Sequence, residues 1–175
     1  MSTTFTISAA TKQDIMELDK LVNSAYRGDS SRAGWTTEAD LLDGIRITAA
    51  GLNDILNKPG ATILKATDQA GALAGCVYLE QQPDAMYLGM LTVNPQLQNS
   101  GIGKQLMYAG EDLAKKGGIY KMRMTVISVR DTLIAWYQRH GYHPTGEKQP
   151  FPNDPKFGLP KQQLEFIVME KELNR

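Results

Sequence analysis

Residues 91–104 read Leu91-Thr92-Val93-Asn94-Pro95-Gln96-Leu97-Gln98-Asn99-Ser100-Gly101-Ile102-Gly103-Lys104. An apolar run ends at Val93, a turn of small and amide side chains follows, and a helical pattern begins at Gly-x-Gly. A helix that starts on glycine presents free backbone N–H groups and the positive end of its dipole. These suit a phosphate or pyrophosphate, and the two glycines let such a ligand come close to the backbone. Lys104 adds a positive charge. The pattern Gln98-x-x-Gly101-x-Gly103 arises by accident in about one chain in ten of this composition, so its weight comes from lying between a strand and a helix. The plain alternative is a glycine-rich turn. Other phosphate loops fit less well. A Walker loop needs Ser or Thr after Gly103-Lys104, where Gln105 stands. A dinucleotide fingerprint needs a third glycine where Leu106 stands.

Other reactive side chains are sparse. Cys76 sits among Val77 and Leu79 with no histidine near it in sequence, which reads as a buried thiol. His140 and His143 flank Gly141, as helix-terminal or surface residues do. Trp35 lies in a polar loop with Arg32 and Glu38 nearby, where it either lines a pocket or plugs the edge of the core. Met86, Met90, Met122 and Met124 alternate on two apolar segments and read as core.

These residues must be positioned by elements whose order can be read from periodicity. Phe5 to Ala9 reads as a strand. Thr11 to Asp14 has the capping-box pattern, and Ile15, Leu18, Leu21, Val22 and Ala25 follow at helical spacing. Arg27 to Trp35 reads as a loop. Thr37 to Asp40 offers a second cap, and Leu41, Leu42, Ile45, Leu52, Ile55 and Leu56 predict one or two helices interrupted at Gly44 and Gly51. Strands are expected at 61–67, 72–80 and 85–93, with turns at 68–71 and 82–84. A helix is expected from Ile102, with Lys115 and Lys116 at its negative end and Gly117-Gly118 stopping it. Lys121 to Val129 alternates like a strand, and a helix follows from Asp131 to His140. Pro150, Pro152, Pro155 and Pro160 mark a long loop before a last strand at 164–173. The sheet is expected to be mixed: the strands at 61–93, joined by short turns, are antiparallel, and the strand–helix–strand unit at 86–129 implies one parallel pair. The pattern is α/β or α+β, and the 175 residues are expected to form one domain.

Composition bounds the function. Nineteen basic side chains balance nineteen acidic ones, which argues against nucleic-acid binding through a general basic field. One cysteine and two histidines leave no internal disulfide and little for a metal site, so no metal is expected. No apolar run approaches the ~18 residues of a membrane span. The N-terminal stretch MSTTFTISAATKQD lacks the basic and apolar regions of a signal peptide. A cytoplasmic protein is the expectation.

The segments MYLGMLTVNPQLQNSGIGKQLMYAGEDLAKKGG, KMRMTVISV and LIAWYQRHGYHPTG together resemble the GNAT superfamily of acyl-CoA-dependent N-acetyltransferases. The resemblance covers roughly Ala61 to Gly146. The helical region before it resembles the family's variable acceptor-side helices in placement only. The resemblance implies a mixed, mostly antiparallel central sheet of about six to seven strands flanked by helices. A splayed parallel pair of strands in that sheet would bind the cofactor. Acetyl-CoA is then the acetyl donor. The pyrophosphate loop would comprise Gln98, Asn99, Ser100, Gly101, Ile102, Gly103 and Lys104. The strand carrying Leu91, Thr92 and Val93 would pair its backbone with the pantetheine arm, with the thioester in the gap before strand 121–129. Tyr137, four residues before Gly141-Tyr142, matches the tyrosine that protonates the leaving thiolate. The family commonly has Asn seven residues before that tyrosine. Here Arg130 takes the cofactor-contacting position, and Asp131 or Ser128 is left to cap the helix.

The implied reaction is acetyl transfer to a primary amine by direct attack. By its pattern alone Tyr137 is a core aromatic; under the resemblance it is the acid, and a phenol near pKa 10 suits a thiolate of similar basicity. Glu80, at the end of a strand, is the best carboxylate for a general base, ahead of Asp84 and Glu38; its bland reading is an exposed strand end. Trp35 and Glu38 are the expected acceptor contacts. The acceptor would be a small-molecule or peptide amine, with no nucleic acid and no membrane as partners, and a homodimer is compatible. The competing readings are a non-catalytic acyl-CoA-binding module and a phosphate-binding domain of another kind.

Overall fold

The computed structural model describes residues 4–27, 37–39, 41–43, 46–97, 100–152 and 159–174. The elements run β1 (Thr6–Ala9), α1 (Ile15–Tyr26), β2 (Leu42–Asp43), α2 (Ala49–Asn57), β3 (Ala61–Thr67), β4 (Leu73–Gln81), β5 (Met86–Val93), α3 (Ile102–Lys116), β6 (Lys121–Ile127), α4 (Asp131–Arg139), β7 (His143–Pro150), β8 (Leu159–Pro160) and β9 (Glu165–Glu172). Seven strands form one sheet in the order β1-β3-β4-β5-β6-β9-β7, and β2 pairs with β8 apart from it. Every pairing is antiparallel except β5 with β6. The expected mixed sheet is therefore present, with the crossover through α3 supplying its parallel pair.

Helices cover both faces. α1 buries Leu18, Leu21, Val22 and Ala25, which join Ile63, Cys76 and Met90 on one side of the sheet. α3 buries Ile102, Leu106, Met107 and Ala114, which join Val77, Leu79, Leu88 and Met122 on the other. Each large side chain so buried contributes roughly 1.5–3 kcal/mol. Two glycines permit the close approach of α3. A Cβ at Gly110 would lie 2.9 Å from the Leu79 side chain, and one at Gly75 would lie 3.0 Å from the Ile102 and Leu106 side chains of α3. The capping box at Thr11 forms, with the Thr11 N–H donating to Asp14 Oδ2 at 2.8 Å. It opens a short 3₁₀ turn at Lys12–Asp14, and α1 follows directly.

Three expectations need correction. Leu41 and Leu42 do not begin a helix: the Leu41 N–H donates to the Glu38 carbonyl, as in a turn, and Leu42–Asp43 pairs with Leu159–Pro160. Ile45 and Gly44 lie outside the described residues. Gly51 does not interrupt a helix but sits in the first turn of α2, its N–H donating to the Thr48 hydroxyl at 3.0 Å. The proline-rich stretch is not all loop, because β7 runs to Pro150 and β8 contains Pro160. Both are edge positions, where a missing N–H costs no ladder bond.

Candidate active site

β5 and β6 pair at only two positions, Met86↔Met122 and Tyr87↔Arg123. Beyond them the strands part. At the joined end Arg123 acts as a clamp. Its guanidinium donates to Asp84 at 3.0 and 2.7 Å, to Gln82 Oε1 at 3.0 Å and to Glu170 at 2.7 Å. One step along, the Tyr87 and Thr125 hydroxyls meet at 3.0 Å across the opening.

β5 carries a bulge where the gap opens. Cys76 pairs with Thr92 and Tyr78 with Gly89, so Val77 faces both Met90 and Leu91. Met90 takes φ +51°, a left-handed conformation that a non-glycine residue adopts only under tertiary constraint. The buried Thr92 hydroxyl donates to the Met90 carbonyl at 2.8 Å and holds the bulge. Past Tyr87, one edge of β5 has no neighbouring strand among the described residues. Backbone groups on such an edge need partners. Tyr26 of α1 supplies one, its hydroxyl donating to the Leu91 carbonyl.

The gap is a cavity of about 270 Å³. Met124, Val126 and Leu133 give it apolar wall, and Phe151, stacked on Phe166 with centroids 5.2 Å apart, closes one side. Its charged groups are Arg27, Glu38, Arg46 and Arg130. Glu38 is only 7% exposed. Arg27 Nε donates to its Oε1 at 3.0 Å, and Arg130 stands 3.4 Å from its Oε2. Burial pulls the Arg27 pKa below its usual value, and Glu38 opposes that shift. The Tyr26 phenol is pushed up to about 12 by burial, with Arg46 and Arg130 working against the rise.

Tyr137 also lines the cavity, on α4. Burial raises its pKa well above the phenol range, so the hydroxyl stays protonated. It has no hydrogen-bond partner among the described residues, yet it is not a buried unsatisfied atom. The hydroxyl therefore opens on the cavity.

At the far end of β5 lies the start of α3. Its N-cap is Gly101 at φ +84°, a conformation that suits glycine, and no side chain caps the helix among the described residues. Among the described residues, a Cβ at Gly101 would meet nothing within 4 Å, and one at Gly103 would meet Val93 Cγ2 at 3.5 Å. This cradle is open, with the first N–H groups of α3 at its floor. Ile102 packs into the core below, while Ser100 turns its hydroxyl to the Leu97 carbonyl. Lys104 Nζ sits 5.7 Å from the Tyr108 ring centroid.

The structure thus brings Leu91, Glu38, Arg130 and Tyr137 to one cavity, and Ser100, Gly101, Ile102, Gly103 and Lys104 to one helix start. Gln98, Asn99 and Trp35 lie outside the described residues. Glu80 does not line the cavity. Tyr78 donates to its Oε2 at 2.7 Å and Lys58 pairs with its Oε1. Lys58 and Tyr78 hold its pKa below the usual carboxylate value. Arg130 is spent on Glu38 and on the Thr37 carbonyl at 3.4 Å. Asp84 is spent on Arg123, which lowers its pKa. Tyr26, Arg27, Arg46, Tyr87 and Thr125 carry no sequence signal as site residues, because their nearness arises only when α1 and the following segment cross the sheet. Cys76 is fully buried, its pKa pushed up to about 12 by burial. Among the described residues, no group of three or more His, Cys, Asp and Glu is placed to hold a metal.

A seven-stranded sheet with one parted parallel pair, a bulge at the gap and an uncapped glycine helix start define an acetyltransferase fold. The acetyltransferase (GNAT) family profile matches residues 17–142, and the chain belongs to that family. Solved structures share the fold at low identity. The ribosomal-protein-S18-alanine N-acetyltransferase from Escherichia coli is 16% identical, with a TM-score of 0.72 over 98% of this chain and 96% of that one. A ribosomal-protein-alanine N-acetyltransferase from Brucella melitensis is 20% identical, with a TM-score of 0.71 over 96% of this chain and 99% of that one. The PaiA N-acetyltransferase from Thermoplasma acidophilum, in complex with coenzyme A, is 17% identical, with a TM-score of 0.69 over 97% of this chain and 99% of that one. No curated protein matches the chain.

Proposed function

We propose that this chain moves an acetyl group from acetyl-CoA to a primary amine by direct attack in the β5–β6 gap. One observation carries the reading: β5 lines the cavity onto which the Tyr137 hydroxyl opens, and the same strand runs on toward the glycine start of α3. The PaiA neighbour, which holds coenzyme A, supports the same class of donor. Ser100 to Lys104 would hold the pyrophosphate, together with Gln98 and Asn99, which precede them in the sequence. The free edge of β5 from Leu91 to Val93 would pair with the amide-bearing arm as an added strand does. Acetyl-CoA, when bound, supplies the acetyl group as a thioester.

The chain's own groups then divide the work. The amine loses its proton to water, since no free carboxylate among the described residues lines the gap. Its nitrogen attacks the carbonyl carbon, and a backbone N–H of the bulged β5 stabilises the negative oxygen that develops. Tyr137 donates its proton as the carbon–sulfur bond breaks, so the leaving group departs as a thiol. Holding both substrates in one gap makes the attack effectively unimolecular. Residues 1–175 act together in this reading as one acetyltransferase domain.

The test is incubation with acetyl-CoA and a panel of amines, with free thiol and acetylated product measured together. Matched thiol and product support transfer. Tight acetyl-CoA binding with no product from any amine would favour the non-catalytic binding module instead.

A further inference from the structure

The cavity holds one carboxylate against three guanidinium groups among its described residues. Both Glu38 oxygens are already engaged, Oε1 by Arg27 at 2.9 Å and Oε2 by Arg130 at 3.4 Å. Arg46 is left over. Its guanidinium carbon lies 5.6 Å from the Tyr26 ring centroid, and it has no carboxylate partner among the described residues. It is half-buried, and it shares the field at Tyr26 with Arg130 and Glu38. This positive charge does not face the pyrophosphate cradle, because no residue of the α3 start lines the cavity.

A cationic amine entering this field alone would be repelled and hard to desolvate. An amine that carries its own anion would not. Guanidinium groups bind carboxylates and phosphates through paired N–H donors. The excess positive charge also favours the unprotonated amine, which is the nucleophilic form. A 270 Å³ space with Phe151, Pro152 and Phe166 on its wall suits a small molecule with an apolar part.

We infer that the acceptor is a small amine bearing an oxyanion, a carboxylate or a phosphonate, and that Arg46 receives this anion. The inference rests on the acetyl-transfer reading and names its substrate class. Arg46 is then a specificity-determining residue, and the Arg27–Glu38–Arg130 set is the scaffold that keeps the field positive.

The experiment gives the wild type, Arg46→Gln and Arg46→Lys saturating acetyl-CoA. The acceptors are the twenty L-amino acids, their C-terminal amides, aminoalkylphosphonates and spermidine. Product is read by mass, and acetyl-CoA binding is read separately by calorimetry. The wild type should favour its best acid over the matching amide by about tenfold or more in kcat/KM, which is about 1.4 kcal/mol. Arg46→Gln should abolish that preference by raising the KM of the acid, while the KM of the amide falls or holds as the repelling charge is removed and acetyl-CoA affinity is unchanged. Arg46→Lys should keep part of it, and it serves as the reporter should Arg46→Gln fail to fold. The carboxylate and phosphonate arms tell which oxyanion is used. Equal turnover of acid and amide, equal loss of both in Arg46→Gln, or acetylation of spermidine and no acid would each overturn the inference while leaving acetyl transfer standing. Absence of acetyl-CoA binding together with absence of any product would overturn both.

Discussion

Arg130, at the entry to α4, places its guanidinium 3.4 Å from the carboxylate of Glu38. The two residues are 92 positions apart. Their contact joins the segment that follows α1 to the helix that carries Tyr137. Arg27, at the end of α1, closes the set from the other side. The cavity is thus bounded by a charged bridge between elements that no strand pairing connects.

Removing Glu38 should expose what that bridge does. Glu38→Gln removes the buried carboxylate that Arg27 and Arg130 share. Breaking a buried ion pair from one side costs about 3–5 kcal/mol, so the melting temperature should drop by many degrees. Denaturant unfolding checks this. A loss below about 1 kcal/mol would show that water already screens the set.

Gly103→Val should separate binding from folding. The backbone at Gly103 is ordinary helix, and an added Cβ meets only van der Waals neighbours. The variant should therefore melt near the wild type. Its branched side chain fills the cradle, so coenzyme A affinity should fall by about tenfold or more. Titration calorimetry decides. Unchanged affinity in a folded variant would move the pyrophosphate elsewhere.

Tyr137→Phe removes one hydroxyl and keeps the ring against Trp136 and Tyr142, its centroid neighbours at 5.2 and 5.9 Å. Folding and acetyl-CoA binding should survive. The single-turnover rate with a good acceptor should fall on the order of 10²-fold. Because burial holds the phenol above its usual pKa of 10, no alkaline limb from Tyr137 is expected below pH 10 in the wild type. A wild-type rate in the variant across the pH range would reduce Tyr137 to packing.

Glu80→Gln should leave kcat unchanged, because its carboxylate is held by Lys58 and Tyr78 outside the cavity. The effect belongs to stability. The folded pKa lies below the unfolded value near 4.5. The stabilisation is therefore complete above pH 4.5 and is lost as pH falls through the folded value. The variant should lack this part of the acid limb in a pH series of melts. A large drop in kcat with acceptor KM unchanged would return Glu80 to the base role.

What the sequence by itself determined is local. Period-2 runs placed β3, β4, β5 and β6, the Gly101-x-Gly103 pattern placed the start of α3, and Gly117 placed its end. These signals survive because hydrogen-bond periodicity and glycine backbone freedom act over a few residues. The failures have the same origin. Leu41, Leu42 and Ile45 show helical spacing, yet Leu42–Asp43 gains its partner from Leu159–Pro160, more than a hundred positions away. The site divides along this line. The glycine start of α3 is legible from neighbouring residues, whereas Tyr137 by its own pattern is a core aromatic and takes its proposed role from the family resemblance. Only the tertiary structure decided that Arg27, Glu38, Arg46 and Arg130 share one cavity and that Glu80 stands outside it. A charge has no periodicity, and its partner is chosen by where the sheet and helices bring buried groups together, since an unpaired buried ion is too costly to leave.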